Sequence, residues 1–170
     1  MHLVLASILG LISLVVCVLP QPQWQTYSST EGRFVVSVPD EPRVSTLTTD
    51  TANGHVFTHI VSATDKDLNE YLVSWTAYNR DVESKGSEKT LDRMRDALIQ
   101  AKGGKLSEES TVSLMNHAGR AFTFVDGDGR TVNVRFYFIG NRAFQVMAES
   151  RDRTNLPDAE KFFKSFSVQD

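Results

Sequence analysis

The sequence predicts an α+β fold, a central antiparallel β-sheet flanked by helices, with elements in the order ββββ-α-ββββ-α. Three observations predict it. Beyond residue 30, apolar residues alternate with period two through most of the chain, the pattern of half-buried strands. Twice the alternation gives way to helical spacing with a single apolar face, and such a face needs a sheet to cover. Short turn signals join successive strands, and strands joined so tightly pair antiparallel.

In the first strand, residues 34–38, Phe34, Val36 and Val38 alternate with Val35 and Ser37, and Pro39 ends the run. Residues 43–49 and 55–63 are the next two, joined across Asn53-Gly54, a pair suited to the positive φ of a tight hairpin. The fourth, 71–78, sets Tyr71, Val73 and Trp75 on one face. Thr90 then caps a helix with Leu91, Met94, Leu98 and Ala101 inward and Asp92, Arg93, Arg95 and Asp96 outward. Gly103-Gly104 ends it. Strands resume at 112–115, 120–125, 131–139 and 142–149. Val132, Val134, Phe136 and Phe138 share the core face of the third, against Asn133, Arg135 and Tyr137. Asp126-Gly127-Asp128-Gly129 and Gly140-Asn141 supply turns. A last helix starts at Pro157, with Asp158 and Glu160 near its positive end, and buries Ala159, Phe162, Phe163 and Phe166.

This single domain is assigned to residues 31–170, behind a hydrophobic segment at 1–19 and a polar tether at 20–30. Residues 3–19 are almost wholly apolar, and the first charged side chain is Glu31. The run is about 17 residues, at the lower limit for a membrane span and slightly long for a signal-peptide core. A cleaved secretory signal ranks first, although the start carries no Lys or Arg and no A-x-A-like site precedes Pro20. An uncleaved membrane anchor ranks second. A lipoprotein signal ranks third: Leu14-Val15-Val16-Cys17 resembles a lipobox and makes Cys17 a candidate lipidation site, with Val16 where a small residue belongs. Each of the three places the domain outside the cytoplasm: in a periplasm, at a cell surface or secreted. Trp24 and Tyr27 are expected to pack on the domain edge.

A chain of 170 residues suits one domain plus an appendage. A net charge of −3 and the absence of a Lys/Arg block argue against nucleic acid, whose phosphates demand cations. Cys17 is the one cysteine, so the folded part holds no disulfide, thiolate nucleophile or Cys-based zinc site.

Glu31-Gly32-Arg33-Phe34-Val35-Val36-Ser37-Val38-Pro39 resembles the opening strand of exported domains of the PsbP-like type. Similar too are Gly119-Arg120-Ala121-Phe122, Arg135-Phe136-Tyr137 and Gly140-Asn141-Arg142-Ala143-Phe144. The closing Phe162-Phe163-Lys164-Ser165-Phe166 completes the set. The resemblance covers residues 31–168 and implies an α/β/α sandwich. It implies no single function, because that fold group includes a lumenal photosystem subunit, a GTPase-binding protein and many lipoproteins.

Motifs that carry chemistry are sparse. Asp126-Gly127-Asp128-Gly129 starts like a calcium loop, but Arg130 and Tyr137 stand where further oxygen ligands are needed, which favours a hairpin turn. His55 and His59 on a strand lie roughly 13 Å apart, too far for one metal. His117 sits in a turn beside Gly119. No serine lies in a Gly-x-Ser-x-Gly or Ser-x-x-Lys setting, and Gly103-Gly104-Lys105 follows a helix where a phosphate cradle would open one. Asp40-Glu41, Asp65/Asp67 and Glu108-Glu109 read as solvated loop charge. Arg120, Arg130, Arg135 and Arg142 gather around one strand pair. Ion pairing with neighbouring acids is the favoured account of them, and a surface for an anionic partner, with Asn133 and Tyr137, is the sharper alternative.

The expected function is a non-enzymatic binding or accessory domain that engages a protein or envelope partner. No catalytic residue, metal or cofactor is assigned. The alternatives are an extracytoplasmic enzyme, most simply a hydrolase built from residues distant in sequence, and an assembly factor for an envelope complex.

Overall fold

The computed structural model describes residues 24–52, 54–79, 88–151 and 156–169. The hydrophobic segment, with Cys17, lies outside the described residues. In chain order the elements are β1 (Gln25–Ser29), β2 (Phe34–Val38), β3 (Arg43–Thr51), β4 (Gly54–Thr64), β5 (Glu70–Ala77) and α1 (Glu88–Ala101). They continue with β6 (Lys105–Leu114), β7 (His117–Val125), β8 (Thr131–Ile139), β9 (Arg142–Glu149), α2 (Ala159–Ser165) and β10 (Ser167–Val168).

The class is α+β, dominated by sheet, but the strands are not all in one sheet as expected. Seven form an antiparallel sheet in the order β3-β4-β5-β9-β8-β7-β6. β1, β2 and β10 form a second. The reason is that β2 finds main-chain partners on both sides, outside the large sheet. Residues 25–29 of the expected tether pair along it from Gln25 opposite Val38 to Ser29 opposite Phe34, and β10 pairs on its other side. β2 thus lies over the large sheet and sends Phe34, Val36 and Val38 into a core with Tyr71, Val73, Trp75, Phe144 and Val146. Trp24 and Tyr27 pack against that core, as expected of domain-edge residues, and Lys161 Nζ lies 4.2 Å above the Trp24 ring. Element boundaries shift as well. Helix α1 begins at Glu88, before Thr90, and α2 at Ala159, while Glu108-Glu109 belong to the strand β6.

Both faces of the large sheet are covered at its centre. On one face α1 packs Leu91 against Phe122, Phe124, Val132, Val134, Phe136 and Phe138. Met94, Leu98 and Ile99 support it, while Ala101 is exposed. On the other face lie α2 and the small sheet, with Phe162 and Phe166 packed edge-on or tilted against Tyr71, Phe34 and Phe144. Hence residues on the supposed outer side of β8 are not all exposed: Tyr137 is buried and its ring stacks on Phe166. Burial, more than any neighbouring charge, pushes its phenol above the usual tyrosine value, while Arg135 pulls the other way.

Two glycines make these close approaches. A Cβ on Gly32 would meet the Phe34 ring at 2.6 Å and Trp75 Nε1 at 2.8 Å, so the β1–β2 turn can sit on the core only with glycine there. Gly119 stands opposite Tyr137 in the β7–β8 ladder, where a Cβ would come 2.4 Å from the Tyr137 ring and 2.5 Å from the Phe136 carbonyl oxygen. Neither the ring, held by Phe166, nor the ladder can yield cheaply. Gly119→Ala is expected to destabilise the domain by about 1–3 kcal/mol, measured by urea unfolding; an unchanged midpoint would mean that Tyr137 has room to move.

Candidate functional site

The six candidate partner residues do not share one surface. Arg120 stands opposite Phe136 and therefore projects on the α1 face. There it meets Glu88 Oε2 at 3.1 Å, Asp92 Oδ1 at 3.1 Å and Glu109 Oε1 at 3.0 Å, and Arg95 also pairs with Glu109. This network ties α1 to β6 and β7. Arg130, in the β7–β8 turn, binds Glu149 Oε1 at 2.8 Å, and Lys102, just past α1, binds the other oxygen of the same carboxylate. The Glu149 side chain is only 4% exposed, so two cations balance a nearly buried charge. Arg142 reaches back to the Glu31 carbonyl oxygen at 3.4 Å and Asn141 Oδ1 at 3.2 Å. Tyr137 is core.

Asn133 and Arg135 do come together, in an open groove of about 250 Å³ beside α2. Small residues on the middle strand make it concave, since Ala121 lies between Ser110 and Arg135. Thr123 Oγ1 donates to Asn133 Oδ1 at 2.9 Å. Arg135 pairs with Glu160 at 2.8 Å, and its guanidinium lies 4.4 Å from the centre of the Phe163 ring.

A second concavity lies at the opposite side of the sheet. The β4–β5 ladder stops at Thr58 opposite Thr76, while β3 and β4 remain paired out to Thr51 opposite Gly54. The hairpin therefore overhangs β5 as a two-stranded arm. Between the arm and residues 77–79 is a notch of about 740 Å³ lined by Thr51, His55, Val56, Phe57, Ala77 and Tyr78. Phe57 is 51% exposed there, an unusual setting for so large an apolar side chain. Asn53, expected to help turn the arm, lies outside the described residues.

Both histidines of β4 project on the same side, four residues apart, and each has its own partners. His55 Nδ1 is 2.6 Å from Asp50 Oδ1. His59 stacks on Trp75 with ring centres 4.1 Å apart, with Thr46 Oγ1 3.1 Å from Nδ1 and Glu31 Oε1 3.6 Å from Nε2. Asp126 accepts N–H bonds from Asp128 and Arg130 and so closes its own hairpin turn. His117 opens β7 opposite Leu114.

Scanned against family models, the sequence matches none, and no curated protein matches it. Among solved structures, the solution structure of cyanobacterial PsbP from Synechocystis sp. PCC 6803 superposes with a TM-score of 0.53. The match covers 94% of this chain and 98% of that one, at 14% identity. The fold is PsbP-like.

Within this PsbP-like frame the arginines act chiefly as ties between layers. The Glu149 clamp escaped sequence reasoning because Lys102 is 47 residues away from it. The stacked His59–Trp75 pair was hinted at only by their both lying on strands. Arg120 is 12% exposed among three carboxylates, whereas the Glu160 partner of Arg135 is 64% exposed. Arg120→Ala is thus expected to cost about 1–3 kcal/mol, by leaving Glu88, Asp92 and Glu109 to repel one another, and Arg135→Ala less than about 1 kcal/mol. Paired denaturation curves check this, and the opposite ranking would contradict it.

Proposed function

We propose that the chain is an exported or membrane-anchored, non-enzymatic binding or accessory domain that engages a protein or envelope partner outside the cytoplasm. The observation that carries this reading is the overhanging β3–β4 arm, which presents Phe57 above an open notch. A half-exposed aromatic at the rim of a recess is the anatomy of an interface anchor. The extracytoplasmic part of the proposal rests on the apolar run of residues 3–19.

Affinity capture of the natively localised full chain, with mass spectrometry of what it retains, tests the proposal. The expected result is one partner in stoichiometric amount. Phe57→Asp should reduce the capture at least about tenfold, as loss of an anchor of 1.4 kcal/mol or more does, with circular dichroism unchanged. The N-terminal peptide of the captured chain shows in the same run whether residues 1–19 are cleaved, retained or lipidated on Cys17. Equal capture by the variant would remove the arm from the account, and turnover of a substrate by the purified chain would overturn the non-enzymatic reading.

A further inference from the structure

The two edges of the large sheet differ in how they meet solvent. β6, at one edge, carries Lys105, Glu108 and Glu109 and is interrupted by a register shift between Leu106 and Glu108. Charges and bulges of this kind block edge-to-edge pairing. β3, at the other edge, has no bulge and carries charge only near its ends, at Arg43 and Asp50. All nine of its residues are exposed, no register shift interrupts its ladder, and its six residues Val44-Ser45-Thr46-Leu47-Thr48-Thr49 are uncharged and mostly β-branched. Leu47 is 56% exposed and Val44 is 62% exposed.

The pairing with β4 determines which main-chain groups this edge presents. Thr51 and Gly54 are the closing hydrogen-bonded pair of the hairpin, so by the alternation of antiparallel ladders residues 43, 45, 47, 49 and 51 bond to β4. The N–H and C=O groups of Val44, Thr46, Thr48 and Asp50 point away from the sheet, and among the described residues no strand pairs with them.

We propose that this edge pairs with the same edge of a second copy of the chain, antiparallel, about a two-fold axis at Leu47. The strand is nearly palindromic around that point. Leu47 faces Leu47 of the second copy, Thr46 faces Thr48, and Ser45 faces Thr49, so leucine meets leucine and hydroxyl meets hydroxyl. Val44 then faces Asp50 and Arg43 faces Thr51, so no like charges stand opposite each other. The outward groups of residues 44, 46, 48 and 50 form the hydrogen-bonded pairs, about eight main-chain bonds in all, and Leu47 occupies a non-bonded pair, where side chains come closest. Shifting the register so that Thr46 faces itself would set Pro42, which has no N–H, opposite Asp50 at both ends and leave each Asp50 carbonyl without its donor. The result is one continuous sheet through two subunits, formed by isologous pairing. Phe57 lies on β4, the other strand of the arm, and of the notch lining only Thr51 belongs to β3, so the anchor remains available to a different partner.

Site-specific disulfide formation in the full chain tests the register, with Cys17→Ser as background. In a non-bonded antiparallel pair the Cα atoms lie about 4.5 Å apart, within disulfide reach. Leu47→Cys should therefore give a linked dimer on mild oxidation. Thr51→Cys should give none, because two-fold pairing separates the two copies of that position by roughly 26 Å. Leu47→Lys and Leu47→Glu should each be monomeric alone and form a mixed dimer together, read by light scattering; positions 47 and 51 are both exposed, so folding is not at stake. Equal linkage at positions 47 and 51, or a wild-type chain that stays monomeric at high micromolar concentration, would overturn the inference. So would a monomeric chain whose partner capture is lost on Thr48→Pro, since β3 would then be pairing with another protein. The Phe57→Asp experiment reads the notch independently of these outcomes.

Discussion

A broad sheet must hide two faces from water, and this chain has little with which to hide them. Seven strands span about 29 Å across, while a helix is only about 10 Å wide. Helix α1 covers one face over β7, β8 and β9, where the aromatic and branched residues of its core lie. On the opposite face α2, with seven residues, is too short to serve alone, and the small sheet completes the cover. That requirement explains why β2 leaves the large sheet: its apolar side is worth more as a lid over Tyr71, Val73 and Trp75 than as another strand beside them. It also explains the composition of the uncovered part. On the α1 side of β3, β4 and β5 the hydroxyl residues Ser45, Thr49, Thr58, Ser62, Ser74 and Thr76, which tolerate water, stand among Leu47, Val56, Ile60 and Leu72, and Thr58 and Thr76 bond each other at 3.0 Å.

The charged residues serve the same requirement. Layers held only by apolar contact can slide, and here the contacts at both ends of α1 are ionic. Glu88 and Asp92 near its start hold Arg120 of β7, and Lys102 just past its end holds Glu149 of β9. Glu149 is shared with Arg130, so the β7–β8 turn is tied to the same point. On the opposite face Arg135 binds α2 through Glu160 and lies over Phe163. With the arginines so occupied, the exposed large apolar residues Leu47 and Phe57 lie on the overhanging arm and not at the centre of the sheet.

What the sequence disclosed follows the range of its signals. Alternation located β2, β5, β8 and β9, and Gly140-Asn141 marked a two-residue loop that the ladder closes at Ile139 opposite Arg142. β1 looks like tether in sequence because Gln25-Thr26-Tyr27-Ser28-Ser29 has a single large apolar residue, and its pairing energy comes from the main chain of β2. The start of β6 was hidden by Glu108-Glu109, since an edge strand exposed along most of its length needs no apolar alternation. No local pattern says which sheet a strand joins, so alternation alone puts β2 in the same sheet as the other strands. The same limit misjudged Tyr137: period two correctly put it on the side of β8 away from Val134, but only the lid over that side makes it buried. A shared strand pair groups Arg120 with Arg135, but residue parity sends them to opposite faces.

The central claim is that cover is spent on the middle of the sheet and leaves the outer edge of β3 open for pairing. Amide hydrogen exchange of β3, followed residue by residue by NMR at low and high protein concentration, tests it most directly. The account predicts slow exchange at Ser45, Leu47 and Thr49 throughout, since their N–H groups donate to β4. It predicts fast exchange at Val44, Thr46, Thr48 and Asp50 in dilute solution, slowing as concentration rises. Protection of those four at every concentration would show the edge already covered, and their fast exchange at every concentration would show that it does not pair; either result would contradict the account.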